Sequence, residues 1–176
     1  MPESQAAITI QPVTAADAAG LASMRILLQE YMEYLIPTLG PEHVCVEGFE
    51  HDLACLPAEY APPAGTLLMA VCDGQPAGCV GVRSIQLADG QTVGEVRRMW
   101  VRPAFRSRAI GAALVCAAMD AAKRMGHASL YLDTIPEKMP HAYRLYRKLG
   151  FQDHPRYNNN PTPGVAFLRI DLPGRP

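Results

Sequence analysis

The sequence predicts a single α/β domain built on a mixed, largely antiparallel central sheet flanked by helices. Up to residue 101, short apolar runs are joined by Asp-Gly turns, as in antiparallel hairpins. After residue 101, apolar strands alternate with amphipathic helices, which is typical of βαβ units. The chain has 176 residues and is 49% hydrophobic, enough for one continuous core. We therefore expect one domain over 1–176, with a folded core over 8–172.

The first predicted elements are a strand and a long helix. Residues 8–13 alternate apolar and polar side chains, as a half-buried strand does. Thr14 and Asp17 have the spacing of a capping box, in which each side chain meets an unpaired backbone N–H group. This spacing predicts a helix that begins after Thr14 and runs to about Leu35.

A proline-rich segment and three strands follow. Five prolines between residues 37 and 65 leave room for one short helix, which we place at 46–55. Apolar runs at 67–72 and 77–85 are joined by an Asp-Gly turn and predict a hairpin. A second Asp-Gly turn precedes a further strand at 93–101.

The second half of the chain alternates helices and strands. Each predicted helix shows apolar residues at helical spacing and is followed by a glycine, which is typical of a helix C-cap. The predicted elements are, in order, a helix from Ile110 to Gly126, a strand at 129–134, a helix at 142–149 and a strand at 165–172.

Composition argues against several classes of function. The formal net charge is -1, from 16 basic and 17 acidic residues, so no global field favours nucleic acid or an anionic membrane as partner. The first five residues lack the pattern of a secretory leader, and no segment has the length and apolar character of a membrane span, so we expect a cytoplasmic protein. The five cysteines are scattered singly, which argues against a zinc site and a disulfide framework.

The junction between the strand at 93–101 and the next helix is a candidate anion site. Backbone N–H groups at a helix start have no partner within the helix and carry the positive end of its dipole. The small residues there, Ala109, Gly111 and Ala112, allow phosphate oxygens to approach the backbone, and the basic residues are Arg106 and Arg108. Solvated loop arginines are the alternative interpretation. The Walker and Rossmann glycine motifs do not occur in the sequence.

Three segments around this junction carry a family resemblance. Residues 106–111, Arg-Ser-Arg-Ala-Ile-Gly, resemble the pyrophosphate loop in motif A of the GCN5-related N-acetyltransferases. Residues 95–103 resemble the fourth strand of that family, and residues 142–151 resemble its motif B. The resemblance is close over 93–172 and implies the acyl-CoA N-acyltransferase fold. Ala109 stands where the family usually has glycine, and we expect its backbone to stay in the helical region.

The resemblance implies acetyl-CoA as co-substrate, with no metal. The backbone of Met99 and Val101 would pair with the pantetheine arm, and Trp100 would form a wall of the acyl pocket. Tyr143 would either pack in the core or contact the adenine side. The implied cofactor-binding residues are Met99, Trp100, Val101, Arg106, Ser107, Arg108, Ala109, Ile110, Gly111, Ala112, Thr134 and Tyr143.

Glu95 and Tyr146 are the implied catalytic residues. Glu95 would act as general base on the acceptor amine, and alternation along its strand predicts that it shares a face with Arg97, Met99 and Val101. An arginine-paired strand carboxylate is the alternative interpretation of Glu95. Tyr146 would supply a proton to the departing thiolate, and an ordinary core aromatic is the alternative there.

The acceptor is the part of the site about which the sequence is least informative. Tyr157, followed by three asparagines, lies in a tail that resembles a subgroup of the family, and we expect it either to contact substrate or to belong to a turn. His127 and His141 are expected to face solvent. The leading hypothesis is transfer of acetyl to a primary amine of a small molecule by direct attack in a ternary complex. A non-catalytic acyl-CoA sensor and an acetyltransferase of protein N-termini or lysines are the alternatives, and a homodimer through the final strand is an assembly that the resemblance implies.

Overall fold

The computed structural model describes residues 7–173, so residues 1–6 and 174–176 of the predicted domain lie outside the described residues. Within that range seven strands form one sheet in the order β1-β2-β3-β4-β5-β7-β6. The strands are β1 (Ile8–Val13), β2 (Gly65–Cys72), β3 (Gln75–Gln86), β4 (Thr92–Val101), β5 (Ser129–Thr134), β6 (Gln152–His154) and β7 (Ala166–Asp171). The helices are α1 (Ala18–Leu39), α2 (Val46–Cys55), α3 (Ile110–Arg124) and α4 (Pro140–Lys148).

The sheet is antiparallel at every strand pair except β4 with β5, which run parallel. Tight turns explain the antiparallel half, because Gly74 (φ 77°) joins β2 to β3 and Gly90 (φ 86°) lies between β3 and β4. The parallel pair needs a crossover, which α3 supplies. The predicted largely antiparallel sheet flanked by helices is confirmed.

The two faces of the sheet bury separate hydrophobic clusters. Helix α3 and the aromatic residues of α4 cover one face, where Leu114, Leu132 and Tyr146 pack together. Helices α1 and α2 cover the other face, where Leu27, Phe49 and Trp100 are buried. The sheet between them is apolar on both sides, which explains why the predicted strands read as nearly continuous apolar runs.

A β-bulge interrupts β4 near its end. The register with β3 shifts by one residue between the pairs Gly81↔Arg97 and Cys79↔Trp100, and Arg98 adopts a left-handed backbone with φ 57°. Because of the extra residue, Met99 packs in the α3 cluster together with Val96, not on the opposite face. The expectation that Glu95, Arg97, Met99 and Val101 share one face is therefore wrong.

The parallel strands β4 and β5 stay together over a short distance. Within the described residues they pair at Gly94↔Leu130 and Glu95↔Tyr131 and at no later position, although β4 continues to Val101. The backbone of β4 beyond the bulge consequently faces open space on its β5 side. This parting of the strands creates the entrance to the groove described below.

Several elements begin or end one or two residues away from the predicted bounds, and three differences are larger or change a residue's role. Asp17, not Thr14, is the N-cap of α1, because its carboxylate accepts a hydrogen bond from the Gly20 amide at 2.8 Å. Helix α1 also continues past Pro37 to Leu39. Strand β6 has only three residues and was not predicted, since so short a segment shows no periodicity.

The predicted dimer strand has two neighbours within its own chain. Strand β7 pairs with β5 on one side and β6 on the other, so its backbone is already used. A homodimer stays a prediction, and β6 is the strand whose edge is exposed there. Among residues 7–173, none of the helices combines the length and apolar character that a bilayer crossing requires.

Candidate active site

A groove with a volume of about 1290 Å³ opens where β4 and β5 part. One end, which we call the cradle end, is lined by the loop and helix start at 105–112 and by α4. The other end, which we call the α2 end, is lined by α1, α2 and residues 158–162. Both strands contribute to the wall between the two ends.

The start of α3 is built to hold an anion at the cradle end. No side chain caps this helix, and its first turn contains no acidic residue. Its first intrahelical hydrogen bond joins the Ala113 amide to the Ala109 carbonyl, which leaves the earlier amides pointing outward. Ala109, Ile110, Gly111 and Ala112 all line the groove. A pyrophosphate suits these donors.

Ala109 does not have the expected helical backbone. It is the N-cap of α3 and adopts φ 60° and ψ 8°, in the left-handed region, and Ser107 before it has φ 65°. An alanine is strained in this conformation by about 1 kcal/mol, whereas glycine is not. The left-handed backbone at Ala109 is thus one that glycine would adopt without this strain.

Arg106 lies at the same end of the groove and is held by the chain itself. Its Nε atom donates to the Val101 carbonyl at 3.2 Å, and its guanidinium stacks 5.1 Å from the Trp100 ring centroid. These contacts leave the remaining N–H groups available beside the helix start. The guanidinium is thus positioned without a carboxylate partner among residues 7–173, which suits a site for an anionic ligand.

Glu95 borders the groove but exposes only 2% of its surface. Its Oε2 accepts a hydrogen bond from Arg83 Nε at 2.8 Å, and its Oε1 accepts one from the Tyr157 hydroxyl at 2.9 Å. Arg83 also contacts Glu59 at 2.6 Å. A carboxylate has about four lone pairs, so each oxygen keeps capacity for a further proton donor from the groove.

Tyr146 lies on α4 and reaches the same groove from the other side of β4. Its ring is buried against Phe151, and its hydroxyl donates to the Met99 sulfur at 3.5 Å. Burial raises the pKa of Tyr146 well above its ordinary value, so the phenol stays protonated at neutral pH. The groove therefore offers the Glu95 carboxylate on one side of β4 and a protonated phenol on the other.

The α2 end carries further charged groups that the sequence analysis did not single out. Arg98 forms an ion pair with Asp52 and lies 4.3 Å above the Phe49 ring. Asp133 accepts a hydrogen bond from Asn158 at 2.7 Å and lies 4.0 Å from Arg97. Charge is thus concentrated at the end of the groove away from the cradle.

Comparison with known proteins identifies the family. The model of the Acetyltransferase (GNAT) family matches residues 22–151, most of the chain. The chain belongs to this family. An uncharacterised N-acetyltransferase of Schizosaccharomyces pombe is 31% identical over 153 residues, which cover 86% of this chain and 88% of the relative. The N-acetylaspartate synthetase of Danio rerio is 34% identical over 116 residues, covering 65% of this chain and 40% of the relative.

Solved structures agree on the GNAT fold. The structure of Salmonella typhimurium yncA with its cofactor acetyl-CoA superposes with a TM-score of 0.69, covers 96% of both chains and is 18% identical. The family match and the Schizosaccharomyces pombe relative show that this GNAT chain is an N-acetyltransferase, for which acetyl-CoA is the co-substrate. The residues present fit the cofactor, because the uncapped helix start and Arg106 provide donors for its pyrophosphate.

Most residues that the sequence predicts for the GNAT site do line the groove. The structure brings the loop, the helix start, the end of β4 and the end of β5 to one surface. The predicted residues found on the groove are Glu95, Met99, Val101, Arg106, Ser107, Ala109, Ile110, Gly111, Ala112, Thr134 and Tyr146.

Four predicted residues lie elsewhere. The bulge turns Trp100 to the opposite face, where its ring packs 5.1 Å from Tyr34, so the prediction of an acyl-pocket wall is wrong. Arg108 turns toward Asp73, 3.7 Å away, and the Tyr143 hydroxyl donates to an Asp153 carboxylate oxygen at 3.3 Å. Tyr157 lies behind Glu95, outside the lining of the groove.

His127 is a further correction, because it is buried and not solvent-facing. Its Nε2 lies 2.9 Å from the Ser84 hydroxyl, and only 8% of its surface is exposed. Burial lowers the pKa of His127, so the ring is neutral at physiological pH. His141, in contrast, is exposed as predicted.

Sequence reasoning missed Arg83 and Asp133, whereas Asn158 belongs to the loop with three asparagines that it considered for the acceptor. Arg83 lies on β3 directly opposite Glu95, and pairing of the two predicted strands would have suggested this contact if the register had been known. Asp133 and Asn158 meet only through the fold, since 25 residues separate them. Among residues 7–173, no group of three or more His, Cys, Asp or Glu side chains is arranged to hold a metal ion.

Proposed function

We propose that this GNAT enzyme acetylates the primary amine of a small molecule by direct attack within a ternary complex, with Glu95 and Tyr146 as its catalytic residues. The observation that carries the proposal is their arrangement on the two faces of β4, each bordering the groove in which Met99 and Val101 lie. Acetyl-CoA supplies the thioester whose acetyl group becomes the amide.

Glu95 is proposed to take up the proton that the acceptor amine must lose. The Arg83 and Tyr157 hydrogen bonds keep its side chain in one orientation, with lone pairs still free on both oxygens. Since the side chain exposes only 2% of its surface, we expect a water molecule to carry the proton to it. The arginine-paired interpretation of Glu95 and the catalytic one are thus compatible.

Tyr146 is proposed to serve the departing sulfur. The C–S bond breaks as the C–N bond forms, and the thiolate must then gain a proton. Because burial raises the pKa of Tyr146, its phenol donates a hydrogen bond to the thiolate more readily than it gives up the proton completely. Its contact with the Met99 sulfur indicates that a polarisable sulfur fits beside this hydroxyl.

The proposed acceptor is a small molecule because the α2 end of the groove is bounded on several sides. Helices α1 and α2, the Arg83–Glu59 ion pair and residues 158–162 all line it. The name of the zebrafish relative gives N-acetylaspartate, a small acetylated amine, as the compound that it makes. Both observations favour a compact acceptor over a polypeptide.

The proposal is tested by following thiol release from acetyl-CoA with a panel of small primary amines and, separately, with peptides. Glu95→Gln and Tyr146→Phe should each lower kcat about 100-fold or more while the Kd for acetyl-CoA stays within about threefold of wild type. A chain that binds acetyl-CoA but turns over no amine would be a sensor, and turnover of peptides alone would place the acceptor in the protein class.

A further inference from the structure

The α2 end of the groove contains three guanidinium groups, and two of them form direct ion pairs with carboxylates. Arg83 contacts Glu95 at 2.8 Å and Glu59 at 2.6 Å. Arg98 is paired with Asp52 and stacks on a phenylalanine ring. These two side chains are structural, because their charges are neutralised by carboxylates of the chain.

Arg97 is different. Its nearest carboxylate oxygen, Asp133 Oδ2, is 4.0 Å away, and no hydrogen bond to its guanidinium is formed by any of residues 7–173. That same Asp133 oxygen already accepts a hydrogen bond from Asn158 Nδ2 at 2.7 Å. The Arg97 side chain is 28% exposed and lines the groove, so its planar N–H fork is open to a ligand.

The separation of Arg97 and Glu95 determines how far apart the two ligand groups that they bind can lie. The two residues are two apart on β4 and precede the bulge, so they lie on the same face with Cα atoms about 7 Å apart. Glu95 is the proposed proton acceptor for the amine. A molecule whose amine lies toward Glu95 therefore brings groups one or two bonds away within reach of Arg97.

We infer that the acceptor is an amino carboxylate, whose carboxylate binds the Arg97 guanidinium while its amine is held toward Glu95. This inference rests on the proposed function, since it assigns Glu95 to the amine. The bidentate fork of arginine matches the planar carboxylate. The carboxylates of Glu95 and Asp133, which line the groove together with Arg97, attract an ammonium group, so the pocket is complementary to a zwitterion and not to a polycation.

The inference is tested with matched pairs of acceptors. Each of the common amino acids is assayed as the free acid and as its methyl ester, which keeps the amine and removes the negative charge. Because the ester amine is less basic, more of it is in the nucleophilic form at neutral pH, a bias that acts against the inference. We expect kcat/KM to be about 10- to 100-fold higher for the free acid of the preferred acceptor.

Substitution of Arg97 separates recognition from folding. Arg97→Gln should lower kcat/KM for the free acid about 10- to 100-fold, mainly through KM, and leave the ester nearly unchanged. Arg97→Lys keeps the positive charge but loses the planar fork of N–H donors. Its kcat/KM for the free acid should therefore lie between those of wild type and Arg97→Gln. A folding defect would reduce turnover of acid and ester equally, so the ratio of the two isolates the role of the guanidinium.

The outcomes distinguish the two proposals. Turnover of amines without a carboxylate at rates equal to the acids, or an equal effect of Arg97→Gln on acid and ester, would overturn the amino carboxylate inference and leave the acetyltransferase proposal intact. Preferred turnover of polycationic amines would overturn it as well. No turnover of any small amine would overturn the proposed function itself, and the carboxylate inference with it.

Discussion

Glu95 owes its orientation to two neighbours of different chemical character. Arg83 neutralises its charge, whereas the Tyr157 hydroxyl contributes a neutral hydrogen bond to the other oxygen. Burial, with the nearby Glu95 carboxylate as a second cause, raises the pKa of Tyr157 far above its ordinary value. The phenol consequently stays protonated and donates a hydrogen bond over the working pH range. Removal of the Tyr157 hydroxyl therefore tests how much the orientation of Glu95 contributes, without removing the Arg83 charge beside it.

Tyr157→Phe should therefore lower kcat about tenfold without changing the Kd for acetyl-CoA. The loss of one hydrogen bond to a buried carboxylate corresponds to about 1.5 kcal/mol, and the ring still packs against Tyr131 and Phe167. Steady-state kinetics with the preferred amine measures the effect. An unchanged kcat would show that Arg83 alone orients Glu95.

Tyr60→Phe is the matched control. The Tyr60 hydroxyl is buried and has no hydrogen-bond partner among the described residues, and the side chain does not line the groove. Removal of a hydroxyl without a partner should leave kcat unchanged and raise the free energy of unfolding by about 1 kcal/mol. Removal of the hydroxyl should thus lower kcat at Tyr157 and change only the stability at Tyr60.

The left-handed backbone of Ala109 gives a second prediction for a single residue. Ala109→Gly should raise the free energy of unfolding by about 0.5–1 kcal/mol, because the relief of strain exceeds the entropy that glycine adds to the unfolded chain. Urea unfolding provides the measurement. Ala104 is exposed, precedes the same helix and has no positive φ, so Ala104→Gly should lower the free energy of unfolding instead. A loss of stability in both variants would contradict the left-handed assignment.

Among the elements, α1 and the end of β4 are joined by a single ion pair. Glu30 of α1 accepts hydrogen bonds from Arg102 Nε, shared between its two oxygens at 2.8 and 3.1 Å, and from Arg102 Nη2 at 2.8 Å. Arg102 also donates to the Pro76 carbonyl. The Arg102 hydrogen bond is the main reason that the pKa of Glu30 is lowered, with burial acting in the opposite direction. This pair fixes the strand directly before the cradle loop.

Glu30→Gln should lower the free energy of unfolding by about 1 kcal/mol at pH 7, since the pair is partly exposed and screened. Because the pKa of Glu30 is lower in the folded than in the unfolded protein, ionised Glu30 stabilises the fold at pH values above the ordinary glutamate pKa of about 4.5. This stabilisation is lost as the pH falls through the folded-state pKa. The difference between wild type and variant should therefore shrink between about pH 5 and pH 3 in urea titrations.

Glu33→Gln, one turn further along α1, is the control for this prediction. Glu33 is exposed, and no ion pair to it occurs within residues 7–173. Its substitution should change stability by less than about 0.5 kcal/mol at any pH. A pH-dependent loss of the same size in both variants would indicate a general charge effect instead of the α1–β4 connection.

Elements with strong periodicity were predictable, and irregular ones were not. The bounds of α2 and β5 match the prediction, because proline, glycine and apolar runs delimit them. The bulge at Arg98 was missed, since the sequence there reads as continuous alternation and only the register with β3 reveals the extra residue. That one residue explains the wrong faces expected for Met99 and Trp100.

On the scale of the whole molecule, the two ends of the groove differ in how far apart their residues lie in the sequence. The cradle end is formed by a strand, a loop and a helix start that follow one another along the chain, so their sequence pattern predicted them together. The α2 end joins Asp52, Arg97, Asp133 and Asn158 from four separate segments. No local pattern links such residues, because only the sheet order and the packing of α2 bring them together.

Cofactor binding should stabilise the whole chain, because the groove is lined by elements from both hydrophobic clusters. At a concentration 100 times its Kd, acetyl-CoA should add about 2.7 kcal/mol to the free energy of unfolding and raise Tm by roughly 5–10 °C. Thermal unfolding monitored by circular dichroism measures the shift. S-acetyl-pantetheine, which lacks the pyrophosphate, should give a much smaller shift at equal concentration, and equal shifts would contradict the role of the helix start.

The parting of β4 and β5 also has a consequence for the protein between turnovers. A strand in the middle of the sheet has, beyond the bulge, the unpaired backbone of an edge strand. Amide protons of Met99 to Val101 that point toward β5 should exchange with solvent deuterium far faster than those of β3, and acetyl-CoA should slow this exchange. Without its cofactor, the enzyme thus exposes an unpaired strand edge at the centre of its sheet, to which another extended peptide can pair. We therefore expect saturation with acetyl-CoA to reduce aggregation.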